Sequence, residues 1–263
     1  KYKASKINVI VNLLEILSFL LVRKFSIRKF YYFANNDTLK FPELRPGGRY
    51  SPSECTAVHK VAIIVPFRNR YLHLAVFINY MHPFLMKQRI QYGIFIIEQE
   101  GKNKFNRAKL FNVGFLEAQR LEPGGWQCFI FHDVDLLPVD SRNLYTCPRQ
   151  PRHMSVSIDC FEFRLPYNNI FGGVSAMTLE QFTKVNGFSN NYWGWGGEDD
   201  DMYYRLKDEG YFISRYKISI ARYISLPHRK SKPNPGRQVF FQISNIHCYY
   251  FWYVILRVKE NSV

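Results

Sequence analysis

The chain changes character near residue 61. VAIIVPF (Val61–Phe67) is a short, unbroken apolar run without the alternation of a one-sided strand, so it predicts a strand buried on both faces of a parallel sheet. Tyr71 to Gln88 has the pattern of a helix, and YGIFIIEQ (Tyr92–Gln99) is a second buried strand. Asn106 to Glu122 predicts a helix with an apolar stripe at Leu110, Val113 and Leu116, and WQCFIFHDVD (Trp126–Asp135) a third strand that ends in acids. Strand, helix, strand, helix, strand implies a Rossmann-like α/β fold with a mostly parallel central sheet. Ligands in such sheets sit beyond the carboxyl ends of the strands, where Pro66–Arg70 and Asp133–Asp135 both fall. Upstream, Phe33 to Ser53 is rich in Asn, Pro and Gly and reads as an arm entering the domain. Ile7 to Val22 is mostly apolar, interrupted by Asn8, Asn12, Glu15 and Ser18, and short of the roughly 20 residues of a membrane span. A signal-anchor and an amphipathic helix both fit it.

Composition narrows the class. The 263 residues suit one large domain, the 47% hydrophobic content supports a core, and 17% aromatic leaves rings for a sugar or nucleotide pocket as well as for packing. A net charge of +15 suits nucleic acid, an anionic membrane or a nucleoside diphosphate. The basic residues are scattered and no zinc-finger, RNP or basic-heptad pattern accompanies them, which argues against nucleic acid. Five cysteines (Cys55, Cys128, Cys147, Cys160, Cys248) form no CxxC pair, so a zinc site is not expected. Cys128 and Cys147 flank the acidic turn, where a disulfide would require an oxidising compartment. Asn36-Asp37-Thr38 is an N-glycosylation acceptor pattern.

Three segments could carry chemistry. Asp133-Val134-Asp135 places two carboxylates one residue apart at a strand end, where oxygen ligands suit Mn²⁺ or Mg²⁺ and the cation in turn neutralises a diphosphate. Trp193-Gly194-Trp195-Gly196-Gly197-Glu198-Asp199-Asp200-Asp201 puts four acids after an aromatic, glycine-rich loop and before a helix expected over Met202–Glu209. Acids favour a helix N-terminus, but four in succession repel one another. Crowding and partial burial raise a carboxylate pKa towards that of a general base. His228 lies in a basic, proline-rich segment; a lone histidine is more often structural than a ligand.

Taken together, VAIIVPFRNR (Val61–Arg70), FNRAKLFNVGF (Phe105–Phe115), FHDVDLLP (Phe131–Pro138), FGGVSAMT (Phe171–Thr178) and NGFSNNYWGWGGEDDD (Asn186–Asp201) resemble the β-1,4-galactosyltransferase family of Golgi enzymes, in order, from about Gly47 to Arg237. The resemblance implies a GT-A glycosyltransferase fold over 44–237, between an N-terminal segment 1–43 (anchor remnant and stem) and a divergent tail 238–263. It implies donor contacts from Pro66, Phe67, Arg68, Arg70, Phe105, Arg107, Asp133, Val134, Ile170 and Trp195. It implies metal ligation by Asp135 and His228, and acceptor contacts from Trp195, Gly197, Glu198 and Asp199, with Asp199 as catalytic base beside Glu198. Cys128 and Cys147 match a family disulfide, and Cys55 a cysteine whose partner lies upstream. The implied reaction is an inverting, Mn²⁺-dependent transfer from UDP-GalNAc or UDP-Gal to the 4-hydroxyl of a terminal GlcNAc on a glycan. The implied setting is the Golgi lumen, on a single-pass type II membrane protein.

The chain also departs from that family. Ile170 stands where vertebrate members carry tyrosine, and isoleucine there resembles N-acetylgalactosaminyltransferases, so UDP-GalNAc is the expected donor. Ser225 takes the place of a metal-ligating methionine, Cys160 that of a donor-side lysine, and Gln238 to Val263 does not match the family's C-terminal segment. These departures leave open a second class, a catalytically impaired relative that binds sugar nucleotide or glycan, or that regulates an active transferase.

Overall fold

The computed structural model describes residues 41–45, 47–122 and 125–228. Ile7–Val22, the Asn36–Thr38 triplet, nearly all of 1–43 and the whole of 238–263 lie outside the described residues. A two-residue strand β1 (Arg49–Tyr50) precedes β2 (Lys60–Phe67), α1 (Tyr71–Met86), β3 (Gln91–Glu98), α2 (Arg107–Leu121) and β4 (Cys128–His132). Short strands follow: β5 (Leu136–Pro138), β6 (Arg152–His153), β7 (Ser157–Ile158) and β8 (Val174–Thr178). The described chain then forms α3 (Leu179–Lys184), α4 (Glu198–Asp208) and β9 (Arg222–Ser225).

The central sheet runs β1-β3-β2-β4-β8-β6. The three apolar runs legible in the sequence, β2, β3 and β4, are its parallel centre. β8 is antiparallel to β4 and β6 is antiparallel to β8, so β6 again points with the centre, while β1 opposes β3. Most strands therefore share one direction, with antiparallel pairings at the edges. Arg49 and Tyr50 thus belong to the sheet, although the arm reading covered them.

β2 shows why its run is unbroken. Val61, Ile63, Val65 and Phe67 pack with Leu74, Phe77, Met81 and Leu85 of α1, whereas Ala62 and Ile64 pack on the other face with Ala108, Leu110, Phe111 and Ala118 of α2. The buried face of α2 is Leu110, Phe111, Gly114 and Ala118, with Val113 and Leu116 only partly covered. The stripe expected at Leu110, Val113 and Leu116 steps by three residues and drifts around a helix of 3.6 residues per turn, so the four-residue spacing prevails. Gly114 lets the helix approach the sheet: a Cβ there would collide with Ile64 and lie 2.8 Å from Ile97. Asn106 caps α2, accepting from the Lys109 amide at 2.8 Å. A smaller sheet, β5-β9-β7, lies beyond the acidic end of β4.

Candidate active site

The acidic turn after β4 and the acids of α4 meet across one guanidinium. Arg107, the first residue of α2, donates through Nε to Asp133 Oδ1 at 2.6 Å and through Nη1 to Glu198 Oε1 at 3.2 Å. Its Nη2 donates to the Gly173 carbonyl at 3.1 Å, and the group lies 4.5 Å from the Phe111 ring centroid. These acids raise the Arg107 pKa further, so it is a permanent cation. Asp133 is pushed up to about 6 because desolvation outweighs the lowering by Arg107.

Helix α4 begins at Glu198 and not at Met202, so all four acids occupy its first turn, where unpaired backbone N–H groups favour negative charge. Gly197 precedes it at φ 100°, a conformation that disfavours any other residue. Partners sort the acids. Glu198 (6% exposed) faces Arg107; Asp201 (2% exposed) accepts from the Tyr192 hydroxyl at 3.3 Å and lies 3.8 Å from Arg205; Asp200 accepts from the Tyr167 hydroxyl at 2.9 Å. Among the described residues Asp199 alone of the four has no hydrogen-bonded side-chain partner. Burial, with Glu198 and Asp200 beside it, pushes its pKa up to about 7. Glu198 Oε2 is buried without a hydrogen-bond partner among the described residues, a polar atom left for a ligand to satisfy.

Asp199 backs onto the turn before β8, where a Cβ on Gly172 would strike its carboxylate. That turn is anchored by His153 Nε2 and Ser155 Oγ, each 3.1 Å from the Gly172 carbonyl. Ile170, half-buried, enters the same turn, its carbonyl held by Arg215 Nη2 at 2.9 Å. The aromatic loop leads into α4, with Trp195 59% exposed. Gly194, Gly196 and Gly197 there have φ of 99°, 96° and 100°, and the Gly194 amide donates to the Phe105 carbonyl at 2.8 Å.

Asp135 and His228 also come together. The β5–β9 ladder pairs Leu136 with Ser225, and the Leu226 amide donates to the Asp135 carbonyl at 2.7 Å. As a result His228 Nδ1 lies 3.0 Å from Asp135 Oδ2, which also accepts from Arg70 Nη1 at 2.7 Å. A carboxylate oxygen converging with an imidazole nitrogen is a pair of donors whose chemistry would suit Mn²⁺. Among the described residues no group of three His, Cys, Asp or Glu is placed to hold a metal ion, and the Ser225 amide donates to Asp159 Oδ1 at 2.8 Å.

The other expected donor contacts divide. Arg68 lies 5.3 Å from the Phe105 ring centroid and donates to the Asn103 carbonyl at 2.6 Å, forming a cationic, aromatic rim. Pro66, Phe67 and Val134 are buried, Phe67 against Tyr71, so their side chains serve packing in this state. Cys128 and Cys147 form a disulfide, while Cys55 and Cys160 are exposed and outside it. His153, Ser155, Tyr167 and Arg215 escaped the sequence reading because each acts through a fold contact with a distant backbone or acid, and no local pattern marks them.

Among the described residues no helix is long and apolar enough to cross a membrane. Residues 22–148 match the family described as the N-terminal region of glycosyl transferase group 7, and residues 152–229 that described as the N-terminal domain of galactosyltransferase. The chain is 53% identical over 201 residues to β-1,4-galactosyltransferase 1 of Mus musculus, covering 75% of this chain and 50% of the relative. It is 52% identical over 205 residues to β-1,4-galactosyltransferase 2 of Homo sapiens, covering 78% and 55%. Hence the chain spans about half the length of the curated relatives it matches. Among solved structures, the catalytic domain of Drosophila β-1,4-galactosyltransferase 7 in complex with xylobiose matches with a TM-score of 0.54 at 34% identity, over 67% of this chain and 69% of that one. A mutant of the Drosophila enzyme in complex with manganese, UDP-Gal and xylobiose matches with a TM-score of 0.54 at 37% identity, over 60% and 65%. With both family models matched in order across the sheet, the acidic turn and the four-acid helix, the chain belongs to the β-1,4-galactosyltransferase family.

Proposed function

We propose that this chain is the catalytic domain of an inverting transferase that moves GalNAc, or Gal, from a UDP-sugar to the 4-hydroxyl of a terminal GlcNAc on a glycoconjugate. The observation that carries this reading is Asp199. It is the one acid of a crowded helix N-terminus with no hydrogen-bonded side-chain partner among the described residues, raised to about 7 and set against the Gly172 turn. A carboxylate of that pKa is basic enough to take a hydroxyl proton near neutral pH and weak enough to hold it.

Asp199 takes the proton of the acceptor hydroxyl as that oxygen attacks the anomeric carbon from the face opposite UDP. Glu198 Oε2, buried and unsatisfied, accepts a second acceptor hydroxyl and orients the sugar. Arg107 holds Glu198 aligned through its hydrogen bond, while Arg68 and Arg70 meet the diphosphate. Asp135 and His228 would hold Mn²⁺, which would supply positive charge to offset the negative charge developing on departing UDP. Trp195, on glycines that permit a change of backbone conformation, covers the sugars and excludes water. Ile170 offers an apolar wall without a hydroxyl, and so leaves room for a 2-acetamido group. The family relation supports the Golgi lumen as the site of action, on a full-length type II membrane protein.

The test is UDP release from purified protein with Mn²⁺ and a GlcNAc-terminated acceptor, comparing UDP-GalNAc with UDP-Gal and including Asp199→Asn. Acceptor-dependent turnover with UDP-GalNAc, lowered at least about 10²-fold in Asp199→Asn, is expected. Preference for UDP-Gal overturns the donor assignment alone. A folded protein that binds UDP and turns over neither sugar is the catalytically impaired relative.

A further inference from the structure

A buried polar chain runs from the disulfide-closed loop to the acidic turn, and chemistry fixes the direction of every link. Asn143, Tyr145, His132 and Tyr223 are each 0% exposed. Asn143 Nδ2 donates to the Met154 carbonyl at 3.2 Å, which fixes its amide orientation, and to the Tyr223 hydroxyl at 3.3 Å. Because that nitrogen cannot accept, the Tyr223 proton points to the Tyr145 hydroxyl, 3.0 Å away. Tyr145 then donates to His132 Nε2 at 2.8 Å, and His132 Nδ1 donates to the Asp133 carbonyl at 2.8 Å. That carbonyl also accepts from the Leu136 amide at 3.3 Å, closing the turn that contains Asp135. Burial lowers the His132 pKa to about 4, so the ring carries the single proton this chain of donors requires. The ring also packs edge-to-face with Phe77 at 5.0 Å and lies near-parallel to Tyr145 at 5.8 Å between centroids.

The segments that carry His132 and Tyr145 are also joined covalently. Cys128 opens β4, the strand that ends at His132, and Cys147 lies two residues past Tyr145. The Gln88 side chain adds a clamp from the end of α1, accepting from the Tyr145 amide at 2.8 Å and donating to the Asn143 carbonyl at 3.2 Å.

We infer that Tyr145 is a positioning residue which, through His132, sets the backbone of the Asp133–Asp135 turn and thereby the affinity of Asp135 and His228 for the divalent cation. This rests on the metal-dependent reading above. Tyr145 touches neither the cation's ligands nor the substrates, and outer partners of this kind typically tune metal affinity by about 10–100-fold.

The test compares wild type with Tyr145→Phe, which keeps the ring packed against Phe84 and removes the hydroxyl that reaches His132 Nε2. Tyr92→Phe serves as control, since it breaks an equally buried tyrosine–histidine bond, Tyr92 to His82 at 2.8 Å, on an element apart from the turn. Nitrogen-15 NMR of the wild-type imidazole reads the tautomer, amide resonances of Val134 and Asp135 read the turn, and calorimetry with Mn²⁺ and UDP reads the site. Expected are an Nδ1-protonated His132, Val134 and Asp135 amides shifted in Tyr145→Phe but not in Tyr92→Phe, and Mn²⁺ affinity about 10-fold weaker in Tyr145→Phe alone. An Nε2-protonated ring, unmoved amides in folded Tyr145→Phe, or equal Mn²⁺ affinity across the variants overturns the inference. Wild type that binds no Mn²⁺ instead overturns the metal-dependent reading, and the tautomer and the amide shifts still decide whether Tyr145 sets the turn.

Discussion

At the scale of residues, Asp199 makes stability and activity pull in opposite directions. Its folded pKa of about 7 lies above the 3.8 of a free aspartate, so the native state binds its proton more tightly than the unfolded chain. Stability from this group is therefore present below pH 4, and is lost as pH rises from about 4 through 7. Asp199→Asn should raise the melting temperature by roughly 2–4 °C at pH 8, with the gap to wild type closing towards pH 4, a trend that calorimetric scans across pH can check. Activity runs the other way: kcat/KM of the wild type should rise with pH up to about 7, as the base ionises. A variant no more stable than wild type at pH 8 would show that the carboxylate is not strained in the resting protein. The pair of acids at Asp133 and Asp135 and the run from Glu198 to Asp201 were both legible as chemistry. What the residues could not show was which acid is spoken for, because Arg107 and Tyr167 reach them from far along the chain and Tyr192 through the fold of the preceding loop.

At the scale of elements, the loop from Trp193 to Gly197 carries the clearest division between packing and function. Trp195 is 59% exposed, so its ring contributes little to the resting core. Trp195→Ala should leave the melting temperature nearly unchanged, since exposed substitutions usually stay within about 0.5 kcal/mol. Transfer to acceptor should fall about 10²-fold while UDP affinity holds, because misplacing a bound reactant costs that much. Parallel titration and turnover measurements separate the two, and a matching loss of UDP affinity would mean that the ring serves the nucleotide directly. The start of α4 shows a limit of local reading. Charge repulsion argued for a loop through Asp201, yet the helix begins at Glu198 because its open N–H groups and the inward partners of Glu198 and Asp201 outweigh that repulsion.

For the whole molecule, the Cys128–Cys147 disulfide closes a loop of 19 residues around the acidic turn. Cross-linking a loop of that length stabilises by about 3 kcal/mol in the chain-entropy account, so reduction should lower stability by that amount and ease unfolding in urea. Denaturation curves with and without reductant read this, and coincident curves would mean that the loop is held by its hydrogen bonds alone.

The sequence by itself determined the three parallel strands, the helices between them and the identity of the chemically active segments. Unbroken apolar runs and helical spacing reflect burial on two faces or on one, and those demands are local. The β5–β9 ladder that brings His228 to Asp135, the antiparallel edges and the polar chain through Tyr145 were decided only by the tertiary structure. Each depends on which distant backbone or side chain satisfies a buried polar atom, and a hydrogen bond between residues far apart in the chain leaves no periodic trace in it.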